Sequence, residues 1–325
     1  MTASLTAFTT SFSTVFPTVP MSDPMAISTL IPAGLLVLSA LAAGLWAARQ
    51  RRSRAVGTLS LHEALSSCDC LLRLLSNLQQ HRGLSSGWLA GDKSFEARMI
   101  GKRGEIEALF AELAPFVARE SLQTRPCLTS NELTLFRFKW RTLVDELARG
   151  NVEQNIAQHS HLIGTVLDWL AALGEARIEL CGGDCLVPGL VRNYAHRLPA
   201  LSECLGQARA IGSSVAARHA CPAVARVRLM FLIARSESLL DQACSAGDPG
   251  SLGVRAKTAV GAMATTVRTD MLAAAGVTLS ADAYFALSTR AVDAVLEWAR
   301  DCGSCINRDL SGKAAALPAG QGMLR

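Results

Sequence analysis

The chain is poor in aromatic residues, with 10 Phe, 5 Trp and 2 Tyr among 325 residues, and no series of short alternating apolar and polar segments runs through it. Strands draw on β-branched and aromatic residues, so these shortages argue against a sheet. A phosphate-cradling Gly-x-x-x-x-Gly-Lys loop, a His-Glu-x-x-His pair and a Gly-x-Gly-x-x-Gly turn after a strand are all missing. Neither a kinase-like ATP site nor a cyclase-like segment nor a long methyl-accepting coiled coil is present. Enzymatic chemistry is therefore not expected. Charged residues make up only 18% and the net charge is +5, without a dense basic stripe interleaved with aromatics. Nucleic-acid binding has no footprint here.

What remains is rich in Leu and Ala, with 50% hydrophobic residues. That composition suits helices packed on helices. No charge occurs between Asp23 and Arg49, and positions 26–48 are long and apolar enough to span a bilayer core of ~30 Å as a helix. Arg49, Arg51, Arg52 and Arg54 follow at once, whereas no Lys or Arg precedes the run. A secretory signal has the opposite layout. The asymmetry predicts a single-pass inner-membrane protein with its soluble part in the cytoplasm and Trp46 near the inner interface. Residues 1–25 read as a disordered tail, uncharged over 1–22, in which Met21 and Met25 offer alternative starts, and 49–58 as a basic linker.

From 59 to 303 the chain reads as successive amphipathic helices separated by short breakers. One stripe holds Ile106, Leu109, Phe110, Leu113, Phe116 and Val117. Thr129 and Glu132 form a capping box ahead of Leu133, Phe136, Trp140 and Leu143. A further stripe is Val166, Leu170, Leu173, Arg177 and Leu180, and another is Leu198, Leu201, Leu205, Arg209 and Gly212. Gly182, Gly183 and Pro188 mark the midpoint. The pattern predicts an all-α fold of two antiparallel four-helix bundles preceded by one transmembrane helix, ending in a flexible tail over 304–325.

Two cations fall on these apolar faces. Arg82 lies in the series Leu71, Leu75, Leu78, Arg82, Ser85, Leu89, whose steps of three or four keep one helical face. A guanidinium cannot shed its charge, and buried alone it costs several kcal/mol. Arg209 is placed inward by the same logic. A small planar anion between two forked donors would relieve both. The alternative is that each pairs internally, with Glu63, Glu107 or Glu203, or extends its head to the bundle edge.

The segment Leu78-Gln79-Gln80-His81-Arg82-Gly83-Leu84-Ser85 resembles the signature of the nitrate- and nitrite-sensing domain family, a pattern close to Leu-Gln-x-Glu-Arg-Gly-x-Ser. Gly206-Gln207-Ala208-Arg209-Ala210-Ile211-Gly212 is similar to that family's Gly-x-x-Arg-x-x-Gly helix. Ala283-Tyr284-Phe285, with Thr289 and Asp293 beyond, resembles its closing helix. The resemblance covers roughly 65–300 and implies a sensor that binds nitrate or nitrite through Arg82 and Arg209. His81 stands where the family has Glu; it reads as a solvated or helix-packing His, or, beside an anion site, as a group whose ordinary pKa of ~6.5 would add pH dependence. Gly83 and Gly212 would let helices close around the ligand, and Arg177 is a further ligand candidate. Output would pass to an unidentified signalling protein, and a homodimer is left open.

Two other readings compete. A membrane-anchored helical scaffold would bind a protein and no small ligand. Alternatively, Cys302 and Cys305 with Cys181 and Cys185 supply four thiolates for zinc or a redox switch. Neither pair has a neighbouring His, and the ten cysteines are scattered. They are read as reduced thiols with no metal and no cofactor.

Overall fold

The computed structural model describes residues 24–180, 187–272 and 276–316, with side chains placed at 43–46, 61–180, 187, 189–272 and 276–311. Cys181, Cys185, the midpoint glycines and the N-terminal tail lie outside these residues, as do the side chains of most of the 26–48 segment. Nine α-helices and no strand occur among the described residues: α1 (Pro24–Leu89), α2 (Glu96–Glu120), α3 (Ser130–Glu146), α4 (Val152–Leu173), α5 (Pro188–Arg192), α6 (Leu198–Ala217), α7 (Ala223–Ser245), α8 (Gly250–Thr266) and α9 (Ala281–Ala316). Residues 1–56 and 57–325 form two units. Among the described residues no helix is long and apolar enough to cross a membrane. In the first unit Leu45 and Trp46 are exposed.

In the second unit, the stripes are buried as their spacing requires. Ile106, Phe110, Leu113 and Val117 of α2 pack with Leu133, Phe136 and Trp140 of α3. Thr129 Oγ1 accepts from the Glu132 N–H at 3.2 Å, and Glu132 Oε2 accepts from the Thr129 N–H at 2.7 Å, which closes the expected capping box at the start of α3. Helix α6 packs on α7 and α9, and α8 packs on α9. Side chains of α1 reach α2, α4 and α6, and Phe285 of α9 lies against Gly83 of α1. One apolar cluster runs continuously from Leu61 to Ile306 through both halves of the chain.

Two boundaries differ from the sequence expectation. Helix α4 passes into a π-helical turn over Gly174–Glu179. The extra residue per turn rotates the following face, so Leu180 leaves the apolar stripe and stands exposed. At the other end, α9 continues beyond 303 to Ala316. Gly303 does not break it because the position is a packing site: a Cβ there would meet the Tyr194 ring at 2.6 Å.

Candidate anion site between helices α1, α4, α6 and α9

Arg82 and Arg209 both point into the core, as the stripe argument requires, with exposures of 0% and 1%. Their surroundings differ. Arg82 on α1 donates from Nη1 to Glu203 Oε1 at 2.7 Å and from Nη2 to Glu203 Oε2 at 3.0 Å. Nη1 also donates to Ser160 Oγ on α4 at 2.9 Å. Glu203 on α6 is buried and accepts further from Gln79 Nε2 at 3.1 Å and Gln207 Nε2 at 2.8 Å. Of the two readings left open by the sequence, Arg82 thus takes the internal pairing, with Glu203. Glu203 lies on the same helix as Arg209, and its two oxygens match the fork of the Arg82 guanidinium.

Arg209 has no such partner. Among the described residues it forms no ion pair. Nη1 donates to Thr289 Oγ1 on α9 at 3.1 Å, and Nη2 donates to the Gln79 carbonyl on α1 at 3.1 Å. Its Nε is buried without a hydrogen-bond partner. The guanidinium also lies 5.2 Å from the centre of the Phe285 ring. Burial, then the nearby Arg82 charge, pulls the Arg209 pKa down to about 10, and the Asp293 and Glu203 carboxylates act in the opposite direction. It remains a cation at neutral pH.

Glycines admit these side chains. A Cβ at Gly206 would come within 2.8 Å of Arg82 Nη2, and one at Gly83 would meet Phe285 at 3.2 Å and Arg209 Nε at 3.9 Å. Each arginine therefore crosses the α1–α6 contact over a glycine of the facing helix. Gly212 serves a different contact from the one expected. A Cβ there would meet the Tyr284 ring at 2.3 Å, so it lets α9 seat Tyr284, whose hydroxyl donates to the Ala208 carbonyl at 3.0 Å.

His81 is buried beside Arg82 and bonds to a histidine the sequence analysis missed. Its Nδ1 lies 2.8 Å from His159 Nε2, and His159 Nδ1 lies 2.9 Å from the Asn155 carbonyl. The carbonyl can only accept, so His159 carries its proton on Nδ1 and His81 donates from Nδ1. Burial, followed by the His159 and Arg103 charges, lowers the His81 pKa to about 2. Burial also lowers that of His159 to about 3, with Arg82 contributing. Both rings are neutral at physiological pH. Of the two readings of His81, the structure supports helix packing, and a pH dependence of the site near neutrality does not follow from it. Asn155 and His159 could have been found by the logic that found Arg82, since both sit on the stripe of Ile156, Ile163 and Val166.

Arg177 is placed apart from this group. Its Nε and Nη2 both donate to the buried Glu120 carboxylate, Nη2 at 2.7 Å, and Nη2 reaches the Arg125 carbonyl at 2.8 Å. It ties the π-helical turn after α4 to the end of α2, apart from Arg82 and Arg209. The run Gly83-Leu84-Ser85-Ser86-Gly87 spells a hydrolase-like Gly-x-Ser-x-Gly, but it lies inside α1. Ser85 is buried against Asn155 at 3.0 Å, without the strained strand-to-helix turn of a nucleophile elbow.

Cys302 is buried and Cys305 partly so, on one face of α9, and among the described residues no three His, Cys, Asp or Glu side chains converge to hold a metal. Burial pushes the Cys302 thiol up to about 12, the behaviour of an apolar filler rather than a thiolate.

Next to the arginines lies a cavity of about 160 Å³ bordered by Gly83, Ser86, Ala210, Ser213 and Phe285. Phe285 belongs to both features, lining the cavity with the ring on which Arg209 rests.

No curated protein matches the chain. Among solved structures, the NasR transcription antiterminator is similar, with a TM-score of 0.62, 21% identity, and coverage of 85% of this chain and 75% of that one. At that identity the likeness concerns the fold. The family model for nitrate and nitrite sensing, a family of signalling domains, matches residues 73–304, which contain every residue of the site described above. The chain belongs to the nitrate- and nitrite-sensing family.

Proposed function

We propose that this protein is a membrane-anchored sensor that binds one nitrate or nitrite ion at Arg209, beside the Arg82–Glu203 pair. The observation that carries this reading is a fully buried guanidinium with no ion-pair partner among the described residues and a free Nε. A buried charge of this kind costs several kcal/mol unless an opposite charge arrives. Nitrate and nitrite present planar acceptor oxygens that match the fork. Arg82 and Gln79 both hold Glu203, and with it the α1–α6 geometry. Binding would draw α1, α6 and α9 together around Arg209, biasing helix packing toward a signalling state. Helices α1–α4 and α6–α9 would form the two four-helix bundles, joined through α1, α4 and α6.

The uncharged 26–48 segment with its trailing arginines supports anchoring by one helix with the sensor domain in the cytoplasm. A partner protein, or a second copy, would carry the output; the fold relationship to a transcription antiterminator makes control of gene expression a natural direction. Titration calorimetry of the detergent-solubilised full chain tests the ligand. Saturable heat with nitrate or nitrite, lost in Arg209→Met, is expected. No heat with either anion would leave the helical scaffold as the better description.

A further inference from the structure

The site holds three buried charges at close quarters, Arg82, Arg209 and Glu203, and two buried neutral histidines. Asp293 stands at the exposed edge, where water screens it. Four N–H donors from Arg82, Gln79 and Gln207 grip the Glu203 carboxylate. The buried charges Arg82, Arg209 and Glu203 thus sum to plus one.

We propose that Glu203 is the specificity determinant of the anion site: a built-in carboxylate that sets the ligand charge to minus one and excludes divalent oxyanions. This rests on the anion-binding reading of Arg209. A monovalent anion beside Arg209 brings the buried cluster to neutrality. Sulfate or hydrogen phosphate would overshoot and face the Glu203 carboxylate across the same α1–α6 contact. At an effective dielectric of about 20, an extra charge ~6 Å from Glu203 costs on the order of 100-fold in affinity. Size alone separates nitrate poorly from other small anions, so charge is the coarse filter and the planar fork of Arg209 the fine one.

Two substitutions move the charge in opposite directions. Glu203→Gln keeps the shape, retains one of the two acceptor oxygens and leaves two uncompensated guanidiniums. It should raise the affinity for sulfate relative to nitrate by at least about tenfold. Thr289→Asp puts a carboxylate where Arg209 Nη1 now meets a hydroxyl at 3.1 Å. It should abolish binding of every anion while the domain stays folded. The full chain in detergent is titrated with sodium nitrate, nitrite, chloride and sulfate, and the shift of Tm with each anion is recorded in parallel.

Wild-type binding of nitrate but not sulfate, a gain of sulfate binding in Glu203→Gln and silence in Thr289→Asp support the proposal. Wild type that binds no anion overturns the sensor reading and this with it. Wild type that binds sulfate as well as nitrate, or a Glu203→Gln variant with unchanged preference, overturns the charge filter and leaves the sensor reading standing. Should Glu203→Gln unfold without ligand, sulfate must restore its transition; failure to do so, or nitrate binding by a folded Thr289→Asp, overturns the filter as well.

Discussion

His81 Nδ1 and His159 Nε2 share one hydrogen bond of 2.8 Å in the core, and neither ring can take up a proton near neutral pH. Their folded pKa values of about 2 and about 3 lie below the ~6.5 of the unfolded chain. Between pH ~6.5 and ~3 the unfolded state therefore binds more protons. The pair's contribution to stability is complete above pH ~6.5 and is lost as pH falls through that window, at up to ~1.4 kcal/mol per pH unit for each ring. Urea unfolding at a series of pH values should show this decline, and His81→Phe, which keeps a ring against Trp140, should reduce the slope by about half. An equal slope in the variant would mean that His81 is not the titrating group. Ligand affinity should be flat between pH 6.5 and 8.

Close helix approach makes Gly212 intolerant of a side chain. A Cβ there would lie 2.3 to 2.5 Å from the Tyr284 ring, and Tyr284 is itself fully buried and bonded to the Ala208 carbonyl. Ala normally gains about 1 kcal/mol over Gly in a helix. Here the overlap should outweigh it, so Gly212→Ala is expected to destabilise by about 1–3 kcal/mol. Gly101→Ala, where nothing lies within 4 Å of the added Cβ, should be neutral or stabilising. Chemical denaturation of the two variants side by side gives the comparison, and equal effects would remove the packing argument.

Thr129 terminates the α2–α3 connection through two reciprocal hydrogen bonds with Glu132. Thr129→Ala loses one cap and should lower stability by about 1 kcal/mol. Thr129→Asn, which can still accept from the helix start, should recover most of it. A matching loss in both variants would point to the hydroxyl's other bond, to Glu132 Oε2 at 2.7 Å.

Much of this was legible from periodicity. Ile106, Phe110 and Leu113, or Leu198, Leu201 and Leu205, alternate by three and four because a helix presents one face to its neighbours, and those faces are buried. The inward direction of Arg82 and Arg209 follows from the same rule. What periodicity cannot give is the partner across the interface. Glu63, Glu107 and Glu203 were equal candidates for pairing, and only the juxtaposition of α1 with α6 selects Glu203 for Arg82 while leaving Arg209 without one. Likewise, the π-helical turn over Gly174–Glu179 alters register without any residue type that announces it, which is how Leu180 came out exposed and Arg177 came to face Glu120. Asn155 and His159 were visible in principle, as polar residues on an apolar stripe, but they lacked the permanent charge that makes an inward side chain conspicuous.

The two arginines should respond to the same substitution with opposite signs. Arg82→Met removes one member of a buried ion pair and leaves Glu203, gripped only by two glutamine amides, as an uncompensated charge. A loss of about 3–5 kcal/mol is expected. Arg209→Met removes a buried cation that has no ion-pair partner to strand, and its hydrogen-bond partners are a helical carbonyl and the partly exposed Thr289. The ligand-free protein should keep its stability or gain in it, because the lost hydrogen bonds are worth only ~1–3 kcal/mol against the desolvation of a full charge. Function runs the other way, since the Arg209 variant should show no Tm shift with nitrate at any concentration. Measuring Tm with and without nitrate for wild type, Arg82→Met and Arg209→Met separates the two roles. A strongly destabilised Arg209→Met in the absence of ligand would mean that the chain compensates this guanidinium internally, and the reason for an anion to bind there would be gone.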